Sequence, residues 1–217
     1  MAKGNHRSNN RRNGGGRTGP GGTGTLRTGV DREAIQKAVL AILHAIGESP
    51  EREGLIDTPR RIADMYEELF SGLHEDPAAL LATGFEEEKH KEMVIVKDIP
   101  FASMCEHHLM PFHGTTHVGY IPQGRIVGIS KIARVVESLA HRPQVQERLT
   151  SQIADLLMDS LRARGAAVII EATHLCMTMR GVKKPGSRVV TSATRGIFRE
   201  NASTRAEFLA LVKPSGR

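Results

Sequence analysis

The segment Cys105-Glu106-His107-His108 sets a thiol and an imidazole three residues apart, and Thr173-His174-Leu175-Cys176 sets a histidine two residues before the chain's other cysteine. Sulfur and imidazole nitrogen are the donors that a borderline-soft divalent cation such as Zn2+ takes. Pro111 keeps the first segment from becoming helix. The second lies in a predicted strand, where residues two apart project to one face, so His174 and Cys176 are expected to point into a common site. Bringing the segments together gives Cys105, His108 and Cys176 around one Zn2+ with water in the fourth position, the open shell of a catalytic site. Two other arrangements use the same residues. If His107 or His174 fills the fourth position, the shell is closed and structural, and a buried cysteine without metal is a small hydrophobe. The spacing alone leaves all three open.

The elements that must position these segments are legible from apolar periodicity. From Asp31, residues Ile35, Val39, Ile42, Leu43 and Ile46 recur at one-face spacing, with Gly47 placed to end a helix. Thr58-Pro59 supplies a cap and a first-turn proline for a second helix with a stripe of Ile62, Met65, Tyr66, Leu69 and Phe70. A charged linker from Glu86 to Glu92 is expected before a strand at Met93 to Val96. Thr115 to Ile121 reads as another strand closed by Pro122-Gln123-Gly124, with Ile126 to Ile129 continuing the sheet edge. Ile132, Val135, Val136 and Leu139 mark one helix, and Val145, Leu149, Ile153, Leu156, Leu157 and Leu161 a longer one. Ala167 to Thr178 and Arg188 to Phe198 are the last strands, and Thr204 to Val212 a closing helix. The order predicts an α+β fold with N-terminal helices and a mostly antiparallel sheet packed against helices.

With 217 residues and 39% apolar content, one domain with a sizeable core is expected. The net charge of +6 invites a nucleic-acid reading, but residues 1 to 30 hold six Lys or Arg, no acid and nine of the 22 glycines. The remaining 24 basic residues are matched by all 24 acids, so residues 31 to 217 are neutral. We expect residues 1 to 30 to be a disordered Arg/Gly-rich tail, a solubilising extension more than a nucleic-acid contact. No apolar run reaches the roughly 20 residues of a membrane span, and the N-terminus lacks the apolar core of a signal peptide. Only two cysteines exclude a disulfide framework, which points to the cytoplasm.

Four segments, in order, carry a resemblance: Cys105-Glu106-His107-His108, Gly128-Ile129-Ser130-Lys131-Ile132-Ala133-Arg134, Arg142-Pro143-Gln144-Val145-Gln146-Glu147-Arg148-Leu149 and His174-Leu175-Cys176-Met177-Thr178-Met179-Arg180-Gly181. Together they resemble the signature segments of GTP cyclohydrolase I, and the likeness runs from about Asp31 to Val212. It implies a catalytic domain over residues 31 to 217 with the tunnelling fold. Subunits would join sheets into rings that stack face to face, a homodecamer with active sites between subunits. It further implies Cys105, His108 and Cys176 as zinc ligands, with His107 and His174 free for proton transfer.

The implied reaction is hydrolysis of GTP at C8, ring opening, formate release and rearrangement to 7,8-dihydroneopterin triphosphate, the first step of pterin synthesis for folate or tetrahydrobiopterin. By the same resemblance Lys131, Arg134 and Arg180 reach the triphosphate and Ser130 lies near the ribose. Glu147, helped by Gln146, receives the guanine N–H groups, which separates guanine from adenine. Without the resemblance, Glu147 reads as a solvated helix charge and His113 and His117 as ordinary strand or turn histidines. A competing reading of another class is a zinc-stabilised nucleic-acid-binding module using the basic tail. It is weakened by a neutral body with no Trp, two Tyr and six Phe, too few for a stacking platform. Another tunnelling-fold enzyme, such as a nitrile reductase with a cysteine nucleophile, is the second alternative.

Overall fold

Asp31 opens the first helix by accepting a hydrogen bond from the N–H of Ala34, and α1 runs Arg32–Ala45 before Gly47 turns the chain at a φ of 83°. The structure is a computed structural model that describes residues 29–213, with 86–89 described by backbone alone. The tail expected to be disordered therefore lies, but for residues 29 and 30, outside the described residues. Helix α2 spans Thr58–Leu69; Thr58 is its first residue instead of its cap, since Asp57 occupies that position without a capping side-chain bond. Arg32 joins α1 to α2 through ion pairs with Asp64 and Glu67. The predicted stripes bury only in part: Val39, Leu43 and Phe70 are covered, whereas Ile42 and Ile46 stay 59% and 70% exposed. A 3-10 turn (Ser71–His74) and a single turn α3 (Pro77–Leu80) follow.

The sheet is built from β2 (Val94–Cys105), β3 (Met110–Ile121), β5 (Pro143–Gln144), β6 (Gly165–His174) and β7 (Val189–Gly196), in the order β5-β2-β3-β6-β7. All neighbours are antiparallel except β2 and β5, which run parallel at Met104↔Pro143 and Cys105↔Gln144. Two expectations about the edge need correction. Residues 86–90 of the supposed linker belong to β1 (Gly84–His90), and β4 (Gly124–Val127) pairs with β1 in a separate two-stranded sheet instead of extending the main one. Ile129 already begins α4 (Ile129–Ala140).

Side chains alternate across β3 and β6, which builds a core on each face. Val118, Tyr120, Val168 and Ile170 pack with Ile132, Val135 and Val136 of α4 and Leu149, Ile153 and Leu157 of α5 (Gln146–Leu161). On the opposite face Ile121 and Ala167 meet Phe198 of the single turn α7 (Ile197–Glu200) and Phe208. Phe208 belongs to α8 (Ala202–Val212) and closes directly onto Gly119, where a Cβ would come within 2.8 Å of its ring. Among the described residues no helix is long and apolar enough to cross a membrane.

Candidate metal centre and its surroundings

Cys105 is the last residue of β2, and the chain reverses through residues 106–109 before Met110, opposite Cys105, starts β3. Leu109 makes the reversal with a φ of 49°, its N–H donating to the Cys105 carbonyl at 2.9 Å. Glu106 N–H donates to the Gln144 carbonyl at 3.0 Å, tying the turn to β5. Across the sheet, β6 ends with His174 opposite Phe112, and the chain continues into one helical turn, α6 (Leu175–Thr178). That register carries Cys176 toward Met110 and the end of β2. One ligand atom from each of Cys105, His108 and Cys176 then lies within 4.8 Å of the others, a group that could hold a metal ion. His174 and Cys176 do not share a strand face, because Cys176 lies in α6; the register of β6 on β3 brings Cys176 to the group instead.

The donor set fits a soft cation. Burial and the neighbouring Cys105 thiol both push the Cys176 thiol above its ordinary pKa, with Arg180 opposing weakly. A bound cation reverses that balance, since a coordinating thiol is deprotonated outright. Cys105 is buried, Cys176 half-buried and His108 exposed, so the group is open on one side. His107 stands beside it, Nδ1 3.9 Å from Cys105 Sγ and its ring edge-on to that of His108.

His174 is held apart from the three. Its ring stacks on Phe112 at 4.6 Å between centroids and 6° between planes, and Nε2 lies 2.8 Å from Gln146 Oε1. Burial holds its pKa below the usual histidine value, against an opposing pull from the Glu147 carboxylate. Gln146, expected beside the guanine, is 1% exposed. Its amide nitrogen contacts the carbonyls of Ile170 and Val189 and the hydroxyl of Thr191, so both ends of the side chain are already occupied. Glu147, in the first turn of α5, and Arg180, just past α6, are exposed.

Ser130, Lys131 and Arg134 are not brought to this group within one chain. They occupy the first half of α4, whose far end is fixed near the metal group: Ser103 Oγ, two residues before Cys105, donates to the Ala140 carbonyl at 2.6 Å. At 1.5 Å per residue, Ser130 sits about 15 Å back along that helix. Arg134 instead faces a cavity with Glu68, Glu75, Glu137 and His141. His117 Nδ1 accepts the Asp98 N–H at 3.1 Å, and His113 is exposed.

Sequence reasoning missed two supports. Phe112 gave no chemical signal, and Arg148 stood only as one residue of a longer segment, with no role of its own. Its guanidinium pairs with Glu106 and bonds to Gln144 Oε1 at 3.0 Å and the Pro143 carbonyl at 3.1 Å, clamping the turn to α5.

The family model for GTP cyclohydrolase I matches residues 35–213. The chain is 62% identical over 188 residues to GTP cyclohydrolase 1 of Dehalococcoides mccartyi, covering 86% of this chain and 99% of that one. It is 63% identical over 183 residues to GTP cyclohydrolase 1 of Carboxydothermus hydrogenoformans, covering 84% and 95%. With GTP cyclohydrolase 1 of Pelotomaculum thermopropionicum it shares 64% over 184 residues, covering 84% and 97%. Likeness of that extent, over nearly the whole of each relative, shows that the chain belongs to the GTP cyclohydrolase I family of enzymes, and its α+β architecture is that family's tunnelling fold.

Proposed function

We propose that the protein hydrolyses GTP at C8, opens the imidazole ring, releases formate and rearranges the remainder to 7,8-dihydroneopterin triphosphate, the first step of pterin synthesis toward folate or tetrahydrobiopterin. The observation that carries this reading is the convergence of Cys105, His108 and Cys176 beside two histidines outside their group, His107 and His174. Zinc is the ion that two thiolates and one imidazole fit best; held there, it supplies the Lewis acidity that makes water a nucleophile at neutral pH.

The chain's own residues do the rest. When the bond between C8 and N7 breaks, N7 needs a proton, and His174 supplies it with His107 assisting. Glu147 accepts the guanine N1–H and 2-amino hydrogens, a pattern that adenine does not offer. Lys131, Arg134 and Arg180 neutralise the triphosphate, and Ser130 takes the ribose. Gln146 leaves the substrate-binding set because its side chain is buried and in use.

Because α4 carries its cations away from the metal group of the same chain, a second copy must bring them. The protein accordingly works as a homo-oligomer, a decamer of stacked rings, with the site between copies. The exposed Ile42, Ile46, Ile56 and Leu73 of the N-terminal region, together with β7 as a sheet edge, support association. Two cysteines without a disulfide support a cytoplasmic location.

The test is purified, zinc-loaded protein incubated with GTP and scored for formate and for a fluorescent pterin after oxidation. Both should appear, be lost on chelation and return with zinc but not magnesium. Assembled, zinc-loaded protein that releases neither product would overturn the reading.

A further inference from the structure

Gln146 sits at the first position of α5 with four polar neighbours around its carboxamide and a fifth on its main-chain carbonyl, and their chemistry fixes which way the amide is turned. The Ile170 and Val189 carbonyls, each 3.0 Å from the Gln146 amide nitrogen, can only accept. The end of the carboxamide facing them is therefore the NH2, and the end facing His174 is the oxygen. Thr150 Oγ1 lies 2.6 Å from the Gln146 main-chain carbonyl, another pure acceptor, so the Thr150 hydroxyl donates there. Thr191 Oγ1, 2.6 Å from Thr150 Oγ1, must then donate to Thr150 and can only accept from the Gln146 NH2 at 3.1 Å. The chain of bonds runs one way, and it ends at Gln146 Oε1, an acceptor 2.8 Å from His174 Nε2. Nε2 therefore carries a hydrogen.

We infer that Gln146 is a positioning residue for His174 and not a contact to the guanine: it holds the hydrogen on Nε2, so that Nδ1 alone is left to meet the substrate. The Phe112 stack fixes the plane of the same ring, and the Gln146 bond fixes its rotation within that plane. Neither constraint draws on Cys105, His108 or Cys176. The carboxamide is 1% exposed and anchored on β6 and β7 as well as α5, so it is rigid before any ligand arrives. A preset tautomer is what a proton-transferring histidine needs: with Nε2 bonded to Gln146, Nδ1 takes the proton that water gives up on adding at C8 and passes that proton to N7, whereas a ring free to flip presents the wrong nitrogen part of the time. This inference rests on the proposed role of His174.

The experiment has two arms on the zinc-loaded, assembled protein. In the first, histidine is labelled with nitrogen-15 and the His174 signals are assigned by their loss in His174→Asn. The neutral ring should show its hydrogen on Nε2, and a hydrogen on Nδ1 overturns the inference. In the second, Gln146→Met should lower kcat about tenfold or more while KM for GTP stays within about twofold and zinc content is kept. A raised KM with kcat kept would make Gln146 a substrate contact and overturn it. Should Gln146→Met fail to assemble, Thr191→Val replaces it, with a fall in kcat of about threefold at constant KM expected and an unchanged kcat overturning. If the wild type releases no formate from GTP, the proposed function fails, while the nitrogen spectrum still reads the tautomer.

Discussion

The imidazole of His174 and the phenyl ring of Phe112 lie almost parallel, 6° apart in plane and 4.6 Å between centroids, because β3 and β6 pair these two residues directly opposite each other. The sheet register thus sets the plane of a candidate catalytic ring. Phe112 is also fully buried and touches Phe101 edge to face at 5.8 Å. Phe112→Ala should therefore destabilise the protein by about 3–5 kcal/mol, the range for emptying a large aromatic site. Phe112→Leu fills most of the volume but offers no flat surface. It should fold and keep its metal, yet lose turnover severalfold, read by melting temperature, metal analysis and formate release on the same preparation. Full turnover in Phe112→Leu would show that the stack is packing alone.

The helices were readable because their apolar residues fall at one-face spacing and are buried there: Ile132, Val135, Val136 and Leu139 on α4, and Leu149, Ile153 and Leu157 on α5. The ends of strands were not. Lys97, Asp98 and Pro100 interrupt the alternation of β2, where Asp98 adopts a φ of 57° and the register shifts between Val96 and Ile99, although pairing then continues to Cys105. The residues of β1 pair through their backbone with β4, and a run of charged side chains carries no mark of that. The metal group was legible because its donors are rare residue types in close pairs. The Gln146 network was not, since its partners come from β6, β7 and α5 and meet only once the sheet has formed.

Separation of Lys131 and Arg134 from Cys176 along the length of α4 leads to a mixing test. Lys131→Ala and Cys176→Ala should each be inactive alone, the first for want of a phosphate contact and the second for want of metal. Dissociated and reassembled one to one, they should regain activity. In a random mixture about a quarter of the sites join an intact metal half from one copy to an intact cation half from another. The double variant, mixed with itself, stays inactive and serves as the control. No recovery in oligomers shown to be mixed would place both halves of the site in a single copy.

His174 and Cys176 are two residues apart, yet one ends a strand against Gln146 and the other sits in a helical turn facing Cys105 and His108, so their removal should have separable effects. Cys176→Ala leaves two protein donors and should strip zinc or weaken it greatly. His174→Ala removes no member of the converging group and should keep zinc near one per chain. It should still lose turnover by roughly 10²-fold or more, the scale for removing a positioned general acid, and accumulate an early hydrated or ring-opened species. Metal analysis of both variants beside formate release is the measurement. A folded His174→Ala protein that comes out free of zinc would make His174 a fourth ligand and the shell a closed, structural one. Retention of zinc together with full turnover would move the acid elsewhere, to His107, whose Nδ1 stands 3.9 Å from Cys105 Sγ.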